Sequence, residues 1–189
     1  MWNLAVNADN QVKIAEAGGI GPLVSMADDG TEEQKENAAA ALWNLAVNGD
    51  NQVKIVVAGG IAPLVALVSE GTAQQQEYAA AALWNLAVKS DNQKGIADGG
   101  GIVPLVALAG NGSAEQTKNA AGALGHLALN ADNRVAIILA RLLLMGAAAG
   151  RRASEASSAS DRSSSREVCG GPLASNRALV RPVCACCRR

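Results

Sequence analysis

The sequence predicts an all-α protein, a right-handed α-solenoid in which similar three-helix units stack side by side. The composition is rich in Ala and Leu, which favour helices, and only 2% of the 189 residues are aromatic. Trp2, Trp43 and Trp84 stand 41 residues apart. Helix start and stop signals recur with the same spacing. Repeats that bury their apolar faces against their neighbours in this way are typical of α-solenoids.

The repeat divides the chain into about three full units with a partial unit at each end. Residues 8–48 and 49–89 are identical at about two-thirds of their positions, and residues 90–130 follow the same template more loosely. The markers that keep phase are Pro22, Pro63 and Pro104, with Gly18-Gly19, Gly59-Gly60 and Gly100-Gly101. We therefore expect a solenoid over 1–145, made of 1–7 (partial), 8–48, 49–89, 90–130 and 131–145 (partial). Residues 146–189 are rich in Ser, Ala, Gly and Arg without an apolar period, and we expect a disordered tail.

The first two helices of each unit are short. In the middle unit the first is predicted over 50–58, where Asp50 or Asn51 caps it and Gly59-Gly60 ends it. The second is predicted over 62–70, with Pro63 in the first turn, where its missing N–H loses no hydrogen bond. In the following unit the stretch GGG at 99–101 predicts a lengthened turn.

The third helix is the longest, predicted from about Ala73 to Val88. Thr72 can cap its N-terminus, and Gln75 can reach back to the cap, which is the capping-box pattern. The same signal recurs as Thr31 with Gln34 and as Ser113 with Gln116. The start of this helix is therefore predicted in every unit.

The third helix should also have two faces. At 100° per residue, the stripe expected to be buried contains Ala38, Leu42, Leu45 and Ala46, and Asn44 lies opposite it with Asn37, Ala40, Ala41 and Asn48. Third helices of a solenoid lie side by side, so equivalent positions form rows. The row of Asn44 contains Asn3, Asn44, Asn85 and His126. Because an amide both donates and accepts hydrogen bonds, this row can hold the backbone of an extended peptide, and Ala40 and Ala81 would leave room for it.

The segments NQVKIVVAGGIAPLVALV and AAAALWNLAVN resemble the armadillo repeat, in which a Gly-Gly-Ile turn joins the first two helices and the third ends in A-L-x-N-L-A. The resemblance covers residues 1 to about 140. In style it is close to armadillo proteins of plants, fungi and algae, including the yeast vacuolar armadillo protein. It implies that Asn44 and Asn85 bind peptide backbone, as this position does in importin-alpha-like members. His126 departs from the pattern, as does the Trp next to each Asn, which importin-alpha-like helices carry four residues earlier.

Neighbouring side chains complete the candidate groove. Trp43 and Trp84 lie about 100° from the Asn row on the helix. They either pack between neighbouring third helices or anchor a peptide. The Asn row has an alternative too, the capping of nearby helix ends or simple solvation. The candidate groove residues are Asn3, Asn37, Trp43, Asn44, Tyr78, Trp84, Asn85, Asn119 and His126, with Glu33 and Glu115 beside them.

The two ends of the solenoid should differ from its middle, because each unit leaves an apolar face for its neighbour. At the N-terminal end Trp2 and Leu4 have no preceding unit to cover them, so we expect self-association there or a longer natural protein. At the other end Arg141-Leu142 stands where a glycine pair is due. We expect the helix to continue through this point and to cover the last unit.

Charge and cysteine content bear on partners and chemistry. Residues 1–146 carry a net charge of −6 and residues 147–189 a net charge of +5. We therefore expect the groove to bind basic segments of a partner. The Arg-rich tail is itself basic, so it is a candidate to occupy the groove and inhibit binding. His126 is the one histidine, a phosphate-binding loop is absent and all four Cys lie in the tail, so no catalytic, cofactor or metal site is expected. Cys184, Cys186 and Cys187 are candidates for acylation, which would attach the chain to a membrane.

The sequence therefore predicts a non-catalytic protein–protein interaction module that binds an extended peptide along its third helices. We expect it in the cytoplasm or nucleus, because the chain shows neither a signal peptide nor an apolar run of roughly 20 residues. A small-molecule substrate is not expected, and the acidic solenoid disfavours nucleic acid. Two alternatives stay open: a substrate-recognition fragment of a larger protein such as a U-box ubiquitin ligase, and a membrane-anchored adaptor with an acylated tail.

Overall fold

The computed structural model describes residues 5–147, which fold entirely into helices and turns and confirm the all-α class. Trp2, Asn3, Leu4 and the tail cysteines lie outside the described residues. Three consecutive triplets of helices have first helices that begin 41 residues apart, and a tenth helix follows. The helices are α1 (Ala8–Glu16), α2 (Ile20–Asp29), α3 (Glu32–Leu45), α4 (Gly49–Val57), α5 (Ile61–Glu70), α6 (Ala73–Leu86), α7 (Ser90–Asp98), α8 (Ile102–Asn111), α9 (Ala114–Leu127) and α10 (131–147).

The N-terminal cap of the first helix in a triplet differs from the prediction. Asn48 caps α4, because its Oδ1 accepts hydrogen bonds from the N–H groups of Asp50 and Asn51 at 2.9 and 3.2 Å. Asn7 caps α1 in the same way. The prediction that Asp50 or Asn51 is the cap was wrong. A capping side chain reaches N–H groups two and three residues further on, so the earliest of these closely spaced polar residues takes that position.

The turn between the first and second helices depends on one glycine in each triplet. Gly18, Gly59 and Gly100 have φ of 76°, 80° and 78°, a region that residues with a Cβ rarely adopt. Gly99 is the C-cap of α7, where Ala58 is the C-cap of α4. The turn at 99–101 thus has the same length as the others, and the predicted lengthening was wrong.

The third helices α3, α6 and α9 lie side by side: α6 contacts both α3 and α9, and each third helix contacts the second helix of its own triplet. The predicted stripe is buried, including Leu42 and Leu45, which have no exposed surface. The prediction that Ala40 and Ala41 face outward was wrong, because they are 2% and 1% exposed. Neighbours cover a third helix on several sides, so a single apolar stripe underestimates its buried face.

The capping boxes are confirmed in all three third helices. Two of the three glutamines, Gln75 and Gln116, have a second role that the sequence reasoning missed. Gln75 Nε2 donates a hydrogen bond to the carbonyl oxygen of Glu32 at 2.9 Å, and Gln116 Nε2 donates one to the carbonyl oxygen of Ala73 at 2.7 Å. Each glutamine therefore closes its own helix end and joins it to the preceding third helix.

The tenth helix is continuous through Arg141 and Leu142, as expected from the missing glycine pair. It contacts the body through Ala140, which is 4% exposed. Its other face is open: Val135, Ile138, Leu139, Leu142, Leu143 and Met145 are each more than half exposed. The helix therefore packs on the body along one side and leaves several large apolar side chains uncovered.

No single helix in the described part of the chain is both long and apolar enough to cross a membrane. Helices α4 and α5 reach that length and apolar character only when taken together, and they meet at a bend of 86°.

Candidate peptide-binding groove

The row predicted to hold a peptide lies near the C-terminal ends of the third helices. Asn44, Asn85 and His126 occupy equivalent positions on α3, α6 and α9, and all three side chains are partly exposed. Because these helices are direct neighbours, the three positions follow one another across the layer. Asn3, the fourth predicted member, lies outside the described residues.

One member of the row is held by the neighbouring helix. Asn85 Nδ2 donates a hydrogen bond to the carbonyl oxygen of Trp43, 3.3 Å away in α3. That carbonyl belongs to the last turn of α3, where carbonyl groups lack partners within the helix. Asn85 thus caps a neighbouring helix end, which was the alternative stated for this row. The bond uses one N–H of the amide, which also has a second N–H and a carbonyl oxygen.

Asn44 has a different environment. Its Nδ2 is buried and makes no hydrogen bond with the described residues. The residue that corresponds to Trp43 for this asparagine is Trp2, which lies outside the described part of the chain. The two asparagines are therefore equivalent in position, and Asn85 shows which acceptor this position can use.

The tryptophans lean towards the next third helix. The ring of Trp43 stacks on Tyr78 of α6, with ring centroids 5.9 Å apart and an angle of 17° between the planes. The ring of Trp84 lies against Gly122 of α9, where an added Cβ would come within 2.6 Å of two ring carbons. Both tryptophans are half-buried and pack between neighbouring third helices. Contact of their exposed edges with a peptide stays a prediction.

The row of Asn37, Tyr78 and Asn119 lies earlier on the same helices. Its three residues differ in exposure and in the groups that they contact. Asn37 is exposed and donates to the carbonyl oxygen of Glu33 in its own helix at 2.9 Å. Tyr78 is half-buried under Trp43. Asn119 is 8% exposed and donates to the carbonyl oxygen of Glu77 in α6 at 3.3 Å. Tyr78 and Asn119 therefore join neighbouring third helices, whereas Asn37 bonds within its own helix.

Acidic side chains are exposed at the N-terminal ends of the third helices. Glu33 is exposed near the start of α3. Glu115 is exposed near the start of α9 and forms an ion pair with Lys118 at 3.0 Å. Such surface pairs contribute little to stability, because water screens the charges. The pair carries no net charge, so Glu115 adds little to the local potential.

The arrangement places hydrogen-bonding side chains in a row across neighbouring helices. Within residues 5–147, no group of three or more His, Cys, Asp and Glu residues is placed to hold a metal ion. His126 lies in the asparagine row, and the row offers amide donors and acceptors at equivalent points of neighbouring helices. Groups of this kind pair with the N–H and C=O groups of another backbone.

Comparison with known proteins assigns the repeat. A sequence model of the Armadillo/beta-catenin-like repeat matches residues 7–47 and 50–88. The segments at residues 7–47 and 50–88 are armadillo repeats. No match to a curated protein sequence was found. The family assignment thus rests on the repeat and its fold, and no narrower branch of the family is supported.

Three engineered proteins are among the solved structures similar to this chain. One is a computationally designed armadillo repeat protein for modular peptide recognition, with 32% identity and a TM-score of 0.70 over 74% of this chain and 60% of that one. A second is a designed armadillo repeat protein in complex with the peptide (KR)4, with 30% identity and a TM-score of 0.67 over 73% and 59%. A third engineered protein has 34% identity and a TM-score of 0.68 over 74% and 58%. This chain spans about three-fifths of the length of these proteins.

Proposed function

We propose that this armadillo domain is a non-catalytic module that binds an extended, basic peptide segment of a partner protein along α3, α6 and α9. We also propose that the protein is related to the armadillo proteins of plants, fungi and algae. We propose that it acts in the cytoplasm or the nucleus. Armadillo repeats generally act as scaffolds rather than catalysts.

The observation that carries the proposal is the row of Asn44, Asn85 and His126. Its side chains combine partial exposure with hydrogen-bonding groups at equivalent points of three neighbouring helices. The bond from Asn85 to the carbonyl oxygen of Trp43 holds that amide in one orientation. A ligand then binds a side chain that is already ordered, which lowers the entropic cost of binding.

Charge supports a basic ligand. Residues 1–146 carry 14 Asp and Glu against 8 Lys and Arg, a net charge of −6. A surface of that sign attracts cationic segments and speeds their association. A designed armadillo repeat protein with 30% identity to this chain forms a complex with the peptide (KR)4, and this peptide is the natural first probe.

Fluorescence anisotropy with labelled (KR)4 and with an octapeptide of alternating Glu and Ala tests the proposal on the full chain. We expect (KR)4 to bind more tightly than the acidic peptide. The variant Asn44→Ala/Asn85→Ala should weaken (KR)4 binding about tenfold or more, because each lost hydrogen bond contributes about 0.5–1.5 kcal/mol.

Asn111→Ala is the matched control, because Asn111 is exposed at the end of α8, outside the row, and bonds to the carbonyl oxygen of Ala107. It should bind (KR)4 as the unmodified chain does. Equal binding of (KR)4 by the double variant and the control would place the site elsewhere and contradict the proposal.

A further inference from the structure

A second row of side chains, apolar and exposed, runs beside the asparagine row. Val6, Val47, Val88 and Leu129 stand at the same place in the repeat and are 64%, 63%, 55% and 69% exposed. The last three follow α3, α6 and α9. The local backbone is the same at the last three: the N–H groups of Val47, Val88 and Leu129 each donate to the carbonyl oxygen of the row residue three positions earlier. The aliphatic side chains therefore recur once per unit, next to Asn44, Asn85 and His126.

A row of carboxylates lies just beyond it. Asp9, Asp50, Asp91 and Asp132 each stand three residues after an aliphatic row residue, and all four are exposed. Each is in the first turn of a helix, where the positive end of the helix dipole favours a negative charge. We refer to the aliphatic row and the carboxylate row together as the rim.

Two cations also lie at the rim. Lys89 Nζ is 2.7 Å from the carbonyl oxygen of Gly49, and Arg134 Nη1 is 3.2 and 3.4 Å from the carbonyl oxygens of Ala128 and Leu129. Three more exposed lysines, Lys13, Lys54 and Lys94, stand three or four residues after Asp9, Asp50 and Asp91, and so further from the aliphatic row in the sequence. Within the rim itself, four carboxylates outnumber two cations.

The number of residues in the rim indicates whether its ligand is the surface of a folded protein or a single extended strand. A stable protein–protein interface takes about 20–30 residues from each partner. The aliphatic row offers one side chain per unit, far fewer than an interface with a second copy of this chain needs. An extended peptide matches it, since alternate side chains of a strand point to opposite sides. A strand lying between the two rows would direct one set of side chains to the aliphatic row and the other to the carboxylates.

We propose that the rim selects extended peptides in which aliphatic and basic residues alternate. This inference rests on the peptide-binding function proposed above and names the side chains of its ligand. The aliphatic side chains of the peptide lie on Val47, Val88 and Leu129, where they remove exposed apolar surface from water. The basic side chains face Asp50, Asp91 and Asp132, and the backbone lies between the aliphatic row and the carboxylate row.

Three labelled octapeptides test the rim on the full chain by fluorescence anisotropy: alternating Lys-Val, alternating Lys-Ser and alternating Glu-Val. We expect the Lys-Val peptide to bind at least tenfold more tightly than either of the others. The variant Val47→Ser/Val88→Ser should reduce the preference for Lys-Val over Lys-Ser to less than threefold. The variant Asp50→Asn/Asp91→Asn should reduce the preference for Lys-Val over Glu-Val in the same way.

The matched control is Val57→Ser. Val57 is 82% exposed, more than any residue of the aliphatic row, but Glu16 and Asp98 stand at its place in the other triplets, so it belongs to no apolar row. This variant should keep both preferences. All substituted side chains are exposed, and circular dichroism verifies that each variant keeps its helices.

Undetectable binding of the Lys-Val peptide, equal binding of all three peptides, or a preference that survives Val47→Ser/Val88→Ser would each overturn the rim. The outcome is separable from that of the proposed function. If the asparagine double variant still weakens (KR)4 binding while the rim variants change no preference, the groove stands and the rim does not.

Discussion

The two interfaces between neighbouring third helices have nearly the same backbone, yet their tryptophans pack differently. In the first, Trp43 of α3 stacks on Tyr78 of α6. In the second, Trp84 of α6 lies against Gly122 of α9, and the residue equivalent to Tyr78 is Asn119. Where an aromatic partner is present the ring stacks on it, and where it is replaced the ring lies against a glycine that has no Cβ. Tyr78 and Ala81 of α6 correspond to Asn119 and Gly122 of α9, and with these two differences the tryptophan ring has a different neighbour while the helices keep their bounds in the repeat.

The largest expected effect comes from removing the tryptophans. Trp43→Ala and Trp84→Ala should each lower the free energy of unfolding by about 2–3 kcal/mol, somewhat below the range for fully buried aromatic residues because both rings are half-buried. Urea denaturation followed by circular dichroism measures this loss.

Double-mutant cycles then separate the two interfaces. Trp43→Ala combined with Tyr78→Ala should show a coupling energy of about 1 kcal/mol, the contribution of an aromatic pair beyond its buried area. Trp84→Ala combined with Asn119→Ala lacks a ring pair and should couple by less than about half of that. Equal coupling in the two cycles would show that the stack is not what distinguishes the interfaces.

The two interfaces contain equivalent hydrogen bonds from a glutamine, although their aromatic contacts differ. Gln75→Ala and Gln116→Ala each remove a capping bond and a bond to the preceding third helix, and each should cost about 2 kcal/mol. Gln34 makes the same capping bonds and is exposed at the start of α3. Gln34→Ala should therefore cost only about 1 kcal/mol, and a full 2 kcal/mol by thermal denaturation would assign the whole effect to the cap.

These examples show how far the sequence determines the site. The capping boxes of Thr31, Thr72 and Ser113 were predictable, because the groups that bond lie within three residues of one another. The second bond of Gln75 to Glu32 spans 43 positions and depends on how two helices pack, so its local pattern gives no sign of it. Recurrence of the glutamine at the same phase was the available signal, since a residue needed only for a cap could vary among several polar types.

The helical wheel did not predict which alanines of the third helices are buried, because that also depends on how helices distant in the sequence pack. Ala40 and Ala81 were expected to leave open space beside the asparagines, but they are 2% and 1% exposed. Their small size serves the close approach of neighbouring third helices, which depends on the stacking of the units. The position of Asn44 and Asn85 near an exposed edge was predicted, whereas the bond from Asn85 to Trp43 was not.

Two glycine-to-alanine substitutions in α9 test the packing of Trp84. We expect smaller changes in the free energy of unfolding, with opposite signs at the two positions. Gly122→Ala places a Cβ about 2.6 Å from ring carbons of Trp84, so the ring must move. We expect a net loss of about 1 kcal/mol, because overpacking costs about 1–3 kcal/mol and better helix propensity returns part of it.

Gly125 in the same helix is the matched control, because an added Cβ there meets nothing within 4 Å. Gly125→Ala should stabilise the protein by about 0.5–1 kcal/mol. If thermal denaturation showed the same stabilisation for Gly122→Ala, Trp84 would have room to turn away, and the second interface would resemble the first.

The central claim is that a peptide binds at the asparagine row, and NMR of the side-chain amides tests it most directly. Titration of the ¹⁵N-labelled chain with (KR)4 should shift the Nδ2 resonances of Asn44 and Asn85, assigned by single Asn→Ala variants, and should leave that of Asn111 in place. Unchanged Asn44 and Asn85 resonances at a peptide concentration that saturates the anisotropy signal would contradict the claim.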